Sequence, residues 1–313
     1  MCRSEADLLI FIKLIDMVDL MKKYGYVPDR ERMDSDISRI AGNLETVRSE
    51  KVLKDCFSVM DLTSLRTNDT PASIERLVRK VNDFPLTYPD WPLPASVCVY
   101  PNFAGIVRQT RKSEDVHVTV VAGCFPSSQS YLEVKVRECG LAVENGADEV
   151  DIVLALNAFL DGDYDSAAAE IVSVRNAVDR VAASCGRKVI LKVILETGLL
   201  GSAEAIAEAS FLAMESGADF IKTSTGKVDV NATPAAAYTM CECIRKYHEA
   251  TGRKVGFKPA GGISTAMDAI SYYSIVSAVL GSGWLDKSLF RLGVSRLANG
   301  LLSEVEQKTV NWF

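Results

Sequence analysis

The stretch "ADFIKTSTGK", Ala218 to Lys227, is an apolar run that stops on a lysine and then turns into small hydroxyl residues and glycine. A short apolar run bounded by a turn signal is how a buried strand of a parallel sheet reads in sequence. Working outward, comparable runs are "VILKVIL" (189–195), "DEVDIVLAL" (148–156), "VHVTVVAG" (116–123), "SVCVY" (96–100) and "FSVMDL" (57–62) upstream, with "KVGFKP" (254–259) and "LFRLG" (289–293) downstream. Amphipathic helical stretches lie between most of them. Leu132, Val136, Cys139 and Val143 form one apolar stripe, and Ile171, Val174, Val178 and Val181 another. Ile74, Leu77, Val78 and Val81 form a third, followed by the Pro-rich connector "FPLTYPDWPLP". Thr233 caps a helix that begins at Pro234, and Gly252 ends it.

Eight strands, nearly all followed by a helix, in one chain of 313 residues are the arithmetic of an α/β protein with a (β/α)8 TIM barrel. A doubly wound sheet competes, but no G-x-G-x-x-G opens a helix after a strand. Residues 1–50 read as an N-terminal helical extension of two segments separated by "YGYVPD", and residues 51–313 as the barrel.

The bulk composition narrows the function. With 48% hydrophobic and 24% charged residues and a net charge of −6, there is no basic field to draw in nucleic acid. The eight cysteines lack the spacing of a disulfide framework and fit reduced thiols in the cytoplasm. The two histidines, His117 and His248, stand far apart with no H-x-H or H-x-x-x-H partner, so a zinc site is poorly supplied. The run "LLIFI" (8–12) is interrupted by Lys13 and Asp16 and preceded by Glu5 and Asp7, which argues against a signal peptide. No segment reaches the roughly 20 apolar residues that cross a bilayer.

Charges inside barrel strands are costly, yet here they have a pattern. Asp61 follows "FSVM", Asp151 sits in "EVDIV", Lys192 in "VILKVIL", Lys222 follows "DFI" and Lys258 follows "VGF". Barrel closure brings such strand ends around one axis, at the face where active sites of this fold are assembled. Any one of them reads as readily as a strand-end charge that reaches solvent. Five together imply a shared pocket. Lys222 and Lys258 fall on the sixth and seventh strands, close enough to interact. A free lysine leaves about one molecule in 2500 as neutral amine at pH 7. Two unit charges ~4 Å apart at an effective dielectric of ~20 repel by about 4 kcal/mol, worth about 3 pKa units, which would free one amine as a nucleophile for a carbonyl.

"STGK" (224–227) follows the sixth strand and "PAGGIST" (259–265) the seventh, where backbone N–H groups of adjacent glycines approach an anion closely. With "GVS" (293–295) after the eighth, these loops form the customary phosphate position of the fold.

Taken together, "DFIKTSTGK", "VGFKPAGGIS", "ADEVDIV", "LKVILETG", "MDLTSL" and "VNATP" closely resemble the deoxyribose-phosphate aldolase family of class I aldolases, over residues 50 to 303. The resemblance implies that Lys222 is the Schiff-base lysine and Lys258 the second lysine that perturbs it. It implies that Asp151 is the acid/base aspartate, and that Lys192 and Asp61 organise the site. It implies phosphate-binding positions at Gly226, Lys227, Gly261, Gly262 and Ser295, with Thr225 and Cys98 lining the substrate region. The reaction implied is reversible cleavage of 2-deoxy-D-ribose 5-phosphate into acetaldehyde and D-glyceraldehyde 3-phosphate, with no metal or organic cofactor, in a homodimer. The chain departs from the family pattern at Arg296, which stands where a second small hydroxyl residue is common, and in "VNWF" at its end, which holds no tyrosine. Two other readings stay open: a Schiff-base aldolase for another phosphorylated sugar, and a barrel retained as a binding or scaffolding protein.

Overall fold

The computed structural model describes residues 20–313. The run Leu8–Ile12 and most of the first expected N-terminal helix lie outside the described residues. The strands are β1 Met60–Thr63, β2 Ser96–Val99, β3 His117–Val121, β4 Glu149–Val153, β5 Ile190–Ile194, β6 Phe220–Lys222, β7 Gly256–Lys258 and β8 Leu292–Val294. Each falls within or against one of the expected runs. They pair in parallel in the order β7-β6-β5-β4-β3-β2-β1-β8. The ring closes between β7 and β8 through backbone bonds from Phe257 N to Leu289 O (2.9 Å), Arg291 N to Phe257 O (3.0 Å) and Gly293 N to Pro259 O (2.9 Å). The barrel is therefore the one anticipated.

Strand composition explains the layering. Val118, Val120, Val150, Leu191, Ile221 and Phe257 are fully buried under the outer helices. Alternation along each strand then sends Glu149 and Asp151, Lys192, Phe220 and Lys222 to the barrel axis. A Cβ on Gly256 would fall 2.3 Å from the Phe220 ring, so only glycine lets that ring fill the floor of the barrel.

The helices form where capping and stripes favour them. Thr233 accepts a hydrogen bond from Ala236 N at 3.1 Å and Gly252, at φ 73°, ends the helix Pro234–Thr251. Thr70 and Ser73 make a reciprocal capping box at the start of the helix Pro71–Thr87. This helix runs through Pro85, where the sequence reads as connector. Proline removes one backbone bond there, but Phe84 is fully buried, with its ring 5.0 Å from that of Phe57 and 5.5 Å from that of Phe313, and this packing keeps the last turn helical. In the helix Leu132–Glu144, Cys139 and Val143 are buried while Leu132, in its first turn, is exposed.

The helix Arg30–Gly42 packs on the outer helices Pro234–Thr251 and Ala266–Leu280, where Tyr238 donates to Asp36 at 2.7 Å. At the other end, Asn299 Oδ1 accepts from the backbone of Trp312 (3.0 Å) and Phe313 (2.9 Å). Trp312 Nε1 donates to Lys80 O at 3.1 Å, so "VNWF" lies on the outside of the barrel.

Candidate active site

The expected ionisable residues converge. Asp61, Asp151, Lys192 and Lys258 are fully buried and Lys222 is 4% exposed. The register explains the meeting: Asp151 pairs with Lys192 across β4 and β5, and Lys222 with Lys258 across β6 and β7. Asp151 is the hub. Its Oδ1 accepts from Lys192 Nζ at 2.9 Å, and its Oδ2 accepts from both Lys222 Nζ (2.9 Å) and Lys258 Nζ (2.8 Å). Lys258 also pairs with Asp61.

Two members of the cluster escaped the sequence reading. Glu149 lies two residues before Asp151 on the same face of β4, pairs with Lys192, and accepts from Thr119 Oγ1 at 2.8 Å. Arg291, just before β8, reaches beneath them: its Nη2 donates to Glu149 Oε1 at 2.6 Å and its Nη1 to Asp61 Oδ1 at 2.5 Å. His117 Nδ1 stands 2.6 Å from Glu149 Oε1 at the start of β3. Asp151 is thus joined on β4 by a second buried carboxylate, and the eighth segment, from which no charge was expected, carries Arg291.

Four cations (Lys192, Lys222, Lys258, Arg291) face three carboxylates (Asp61, Glu149, Asp151) in this dry cluster. Burial alone would raise Asp151, but the ammonium groups of Lys192, Lys222 and Lys258 outweigh it and hold the carboxyl well below its ordinary range. Asp61 behaves likewise, with Lys258, Lys192 and Arg291 opposing burial. Burial also works against the charged form of Lys258, yet Asp151 and Asp61 prevail and hold its ammonium above the ordinary lysine range. Lys222 goes the other way. Burial is the largest cause of its lowered pKa, Asp151 opposes it, and repulsion from Lys258 adds to the lowering. The repulsion expected from sequence is therefore real but secondary to desolvation. Among the described residues, the Lys222 ammonium hydrogen-bonds and pairs with Asp151 alone, through an oxygen shared with Lys258, which makes it the surplus cation.

Above Lys222 opens a cavity of about 340 Å³, lined by Thr225, Gly226, Lys227, Gly261, Gly262 and Ser295 among others. Gly261 (φ 82°) and Gly262 (φ 79°) turn in the left-handed region, and a Cβ on Gly261 would lie 2.5 Å from Asn231 Oδ1. Lys227 Nζ donates to Leu65 O at 2.8 Å, tying the β6 loop to the β1 loop. Thr225 is pinned from below by Glu196, which accepts from its hydroxyl at 2.5 Å and its amide at 3.1 Å. Glu196 is buried at φ 52°, a left-handed conformation that its spacing in sequence did not announce. Arg296 is also among the residues lining the cavity. Cys98 alone of the candidates neither joins the ion cluster nor lines the cavity: it is buried in β2 opposite Thr63, and burial pushes its thiol up.

Residues 57–281 match the model of the DeoC/LacD family of aldolases. The human deoxyribose-phosphate aldolase is 39% identical over 267 residues, covering 82% of this chain and 80% of the relative. A Caenorhabditis elegans protein, provisionally named for the same activity, is 38% identical over 290 residues, covering 92% of each. Among solved structures, the tetrameric deoxyribose phosphate aldolase of Aeropyrum pernix superimposes with a TM-score of 0.62 at 22% identity, covering 82% of this chain and 93% of that one, a likeness that speaks for the fold.

Proposed function

As the chain belongs to the DeoC/LacD family of aldolases, we propose that it cleaves 2-deoxy-D-ribose 5-phosphate reversibly to D-glyceraldehyde 3-phosphate and acetaldehyde through an imine on Lys222. The observation that carries the reading is Lys222 itself: a desolvated amine with a lowered pKa, sharing Asp151 with Lys258, at the floor of an open cavity. In that state it is a nucleophile for an aldehyde.

The neutral amine attacks C1 of the open-chain sugar, and loss of water gives an iminium. Asp151, held ionised by its lysines, takes the C3 hydroxyl proton through a water, while charged Lys258 steadies the proton transfer. The C2–C3 bond breaks as its electrons enter the iminium to form an enamine, and glyceraldehyde phosphate leaves. Protonation of the enamine at C2 and hydrolysis release acetaldehyde and the amine. Lys192 and Asp61 keep Asp151 and Lys258 in place, and Gly226, Lys227, Gly261, Gly262 and Ser295 seat the phosphate end. Such an enzyme serves the breakdown of deoxyribonucleotides in the cytoplasm, a reducing compartment that suits the unpaired cysteines among the described residues. No helix among them is long and apolar enough to cross a membrane.

Trapping tests the assignment. Incubation with acetaldehyde, borohydride reduction and peptide mapping should place an ethyl group on Lys222, and Lys222→Ala should abolish both the adduct and turnover. An adduct confined to other lysines sinks the proposal.

A further inference from the structure

Beside the Lys227 assigned above to the phosphate end, the mouth of the cavity carries two charges that the mechanism leaves unused. Lys227, from the loop after β6, is joined there by Arg66 from the loop after β1 and Arg296 from the turn after β8. No aspartate or glutamate is among the residues lining the cavity, in a chain whose net charge is −6. Asp69, close to Arg66 in sequence, is occupied: its carboxylate accepts from Ser64 Oγ at 2.9 Å and from the backbone N–H of Arg66 at 2.9 Å. The Arg66 and Arg296 side chains have no hydrogen bond or ion pair among the described residues. Both are exposed. Two guanidinium forks without carboxylates, on opposite sides of the β8–β1 join and beside two glycines with left-handed backbone, suit a tetrahedral dianion that accepts from several directions.

We propose that Arg66 and Arg296 are specificity-determining residues that make this cavity select a sugar aldehyde bearing a dianionic phosphate over the same sugar without it. The inference rests on the aldolase reading of the site and adds two residues to its anion end. Their charge acts on bound substrate and transition state alike, so it enters KM and not kcat. Being exposed, it is screened by salt.

The test uses the full chain with Arg66→Gln, Arg296→Ser and the double variant, assayed with 2-deoxyribose 5-phosphate and 2-deoxyribose at low and high salt. Calorimetric titration with inorganic phosphate runs in parallel. The double variant should raise KM for the phosphorylated sugar about tenfold with kcat within about twofold, leave KM for the unphosphorylated sugar unchanged, and flatten the salt dependence. Its affinity for inorganic phosphate should fall in step. An equal rise in KM for both sugars, or an undiminished phosphate affinity, overturns the proposal. If the unaltered chain cleaves neither sugar, the aldolase reading is what fails, and the phosphate titration alone decides the role of the arginines.

Discussion

Lys192, Lys258 and Arg291 lie in the dry interior of the barrel, each against a carboxylate, whereas Arg66, Lys227 and Arg296 stand at its mouth with none among the described residues. The same charge does different work in the two places. Inside, burial makes every ionic contact strong and every missing partner costly, so the cluster fixes positions and protonation states. At the mouth water screens the charge, which leaves it free to attract a ligand at little cost to the fold. Lys222 belongs to neither group fully: it is buried like the first and short of a partner like the second.

The largest break in that comparison comes from Lys258→Leu. Asp151 Oδ2 is then left to Lys222, which also loses a repelling neighbour, so both changes favour the ammonium. Turnover at neutral pH should fall by about two to three orders of magnitude, and the acid limb of the pH–rate profile should move to higher pH. A profile that keeps its acid limb in place would show that the interior cations do not act on one another.

Among the described residues, Arg291 makes no hydrogen bond or ion pair with a residue lining the cavity, which makes it a sharper probe of the interior. Arg291→Met takes one buried cation from both Glu149 and Asp61, which keep only Lys192 and Lys258 to share with Asp151, and a loss of about 3–5 kcal/mol is expected in urea denaturation. An unchanged midpoint would mean that the carboxylates are satisfied without it. The smallest effect belongs to the mouth. Lys227→Met should raise KM for the phosphorylated sugar by about threefold to tenfold, with no measurable change in the denaturation midpoint. A loss of stability comparable to that of Arg291→Met would erase the distinction between the two regions.

Much of this was legible because parallel barrel strands are apolar on both faces, so Asp61, Lys192, Lys222 and Lys258 stand out from their runs. Glu149 and Arg291 were equally visible, in "DEVDIV" and "LFRLG". The period of two alone puts Glu149 of "EVD" on the face of Asp151, whereas Arg291 lies outside the strand proper and reads as a strand-end charge that reaches solvent. What drives Lys222 toward neutrality was only half legible. A sequence shows that two lysines are neighbours across strands, but it does not show how dry their surroundings are, nor that one carboxylate oxygen bridges them. Glu196 was invisible for another reason: its left-handed backbone and its grip on Thr225 depend on where the β5 and β6 loops meet. The helix through Pro85 likewise depends on aromatic contacts from Phe57 and the distant chain end.

The join between β7 and β8 has one more consequence. Gly293 sits where the stem of Lys258 passes, and a methyl group there would lie 2.7 Å from Ala260 Cβ and 3.1 Å from Lys258 Cε. Completing the circle of strands and aiming the second lysine are thus a single tolerance, set by the one side chain small enough to satisfy both. Bulk added at that point would tilt the ammonium and spread the staves together, so neither could be tuned in later variation without disturbing the other.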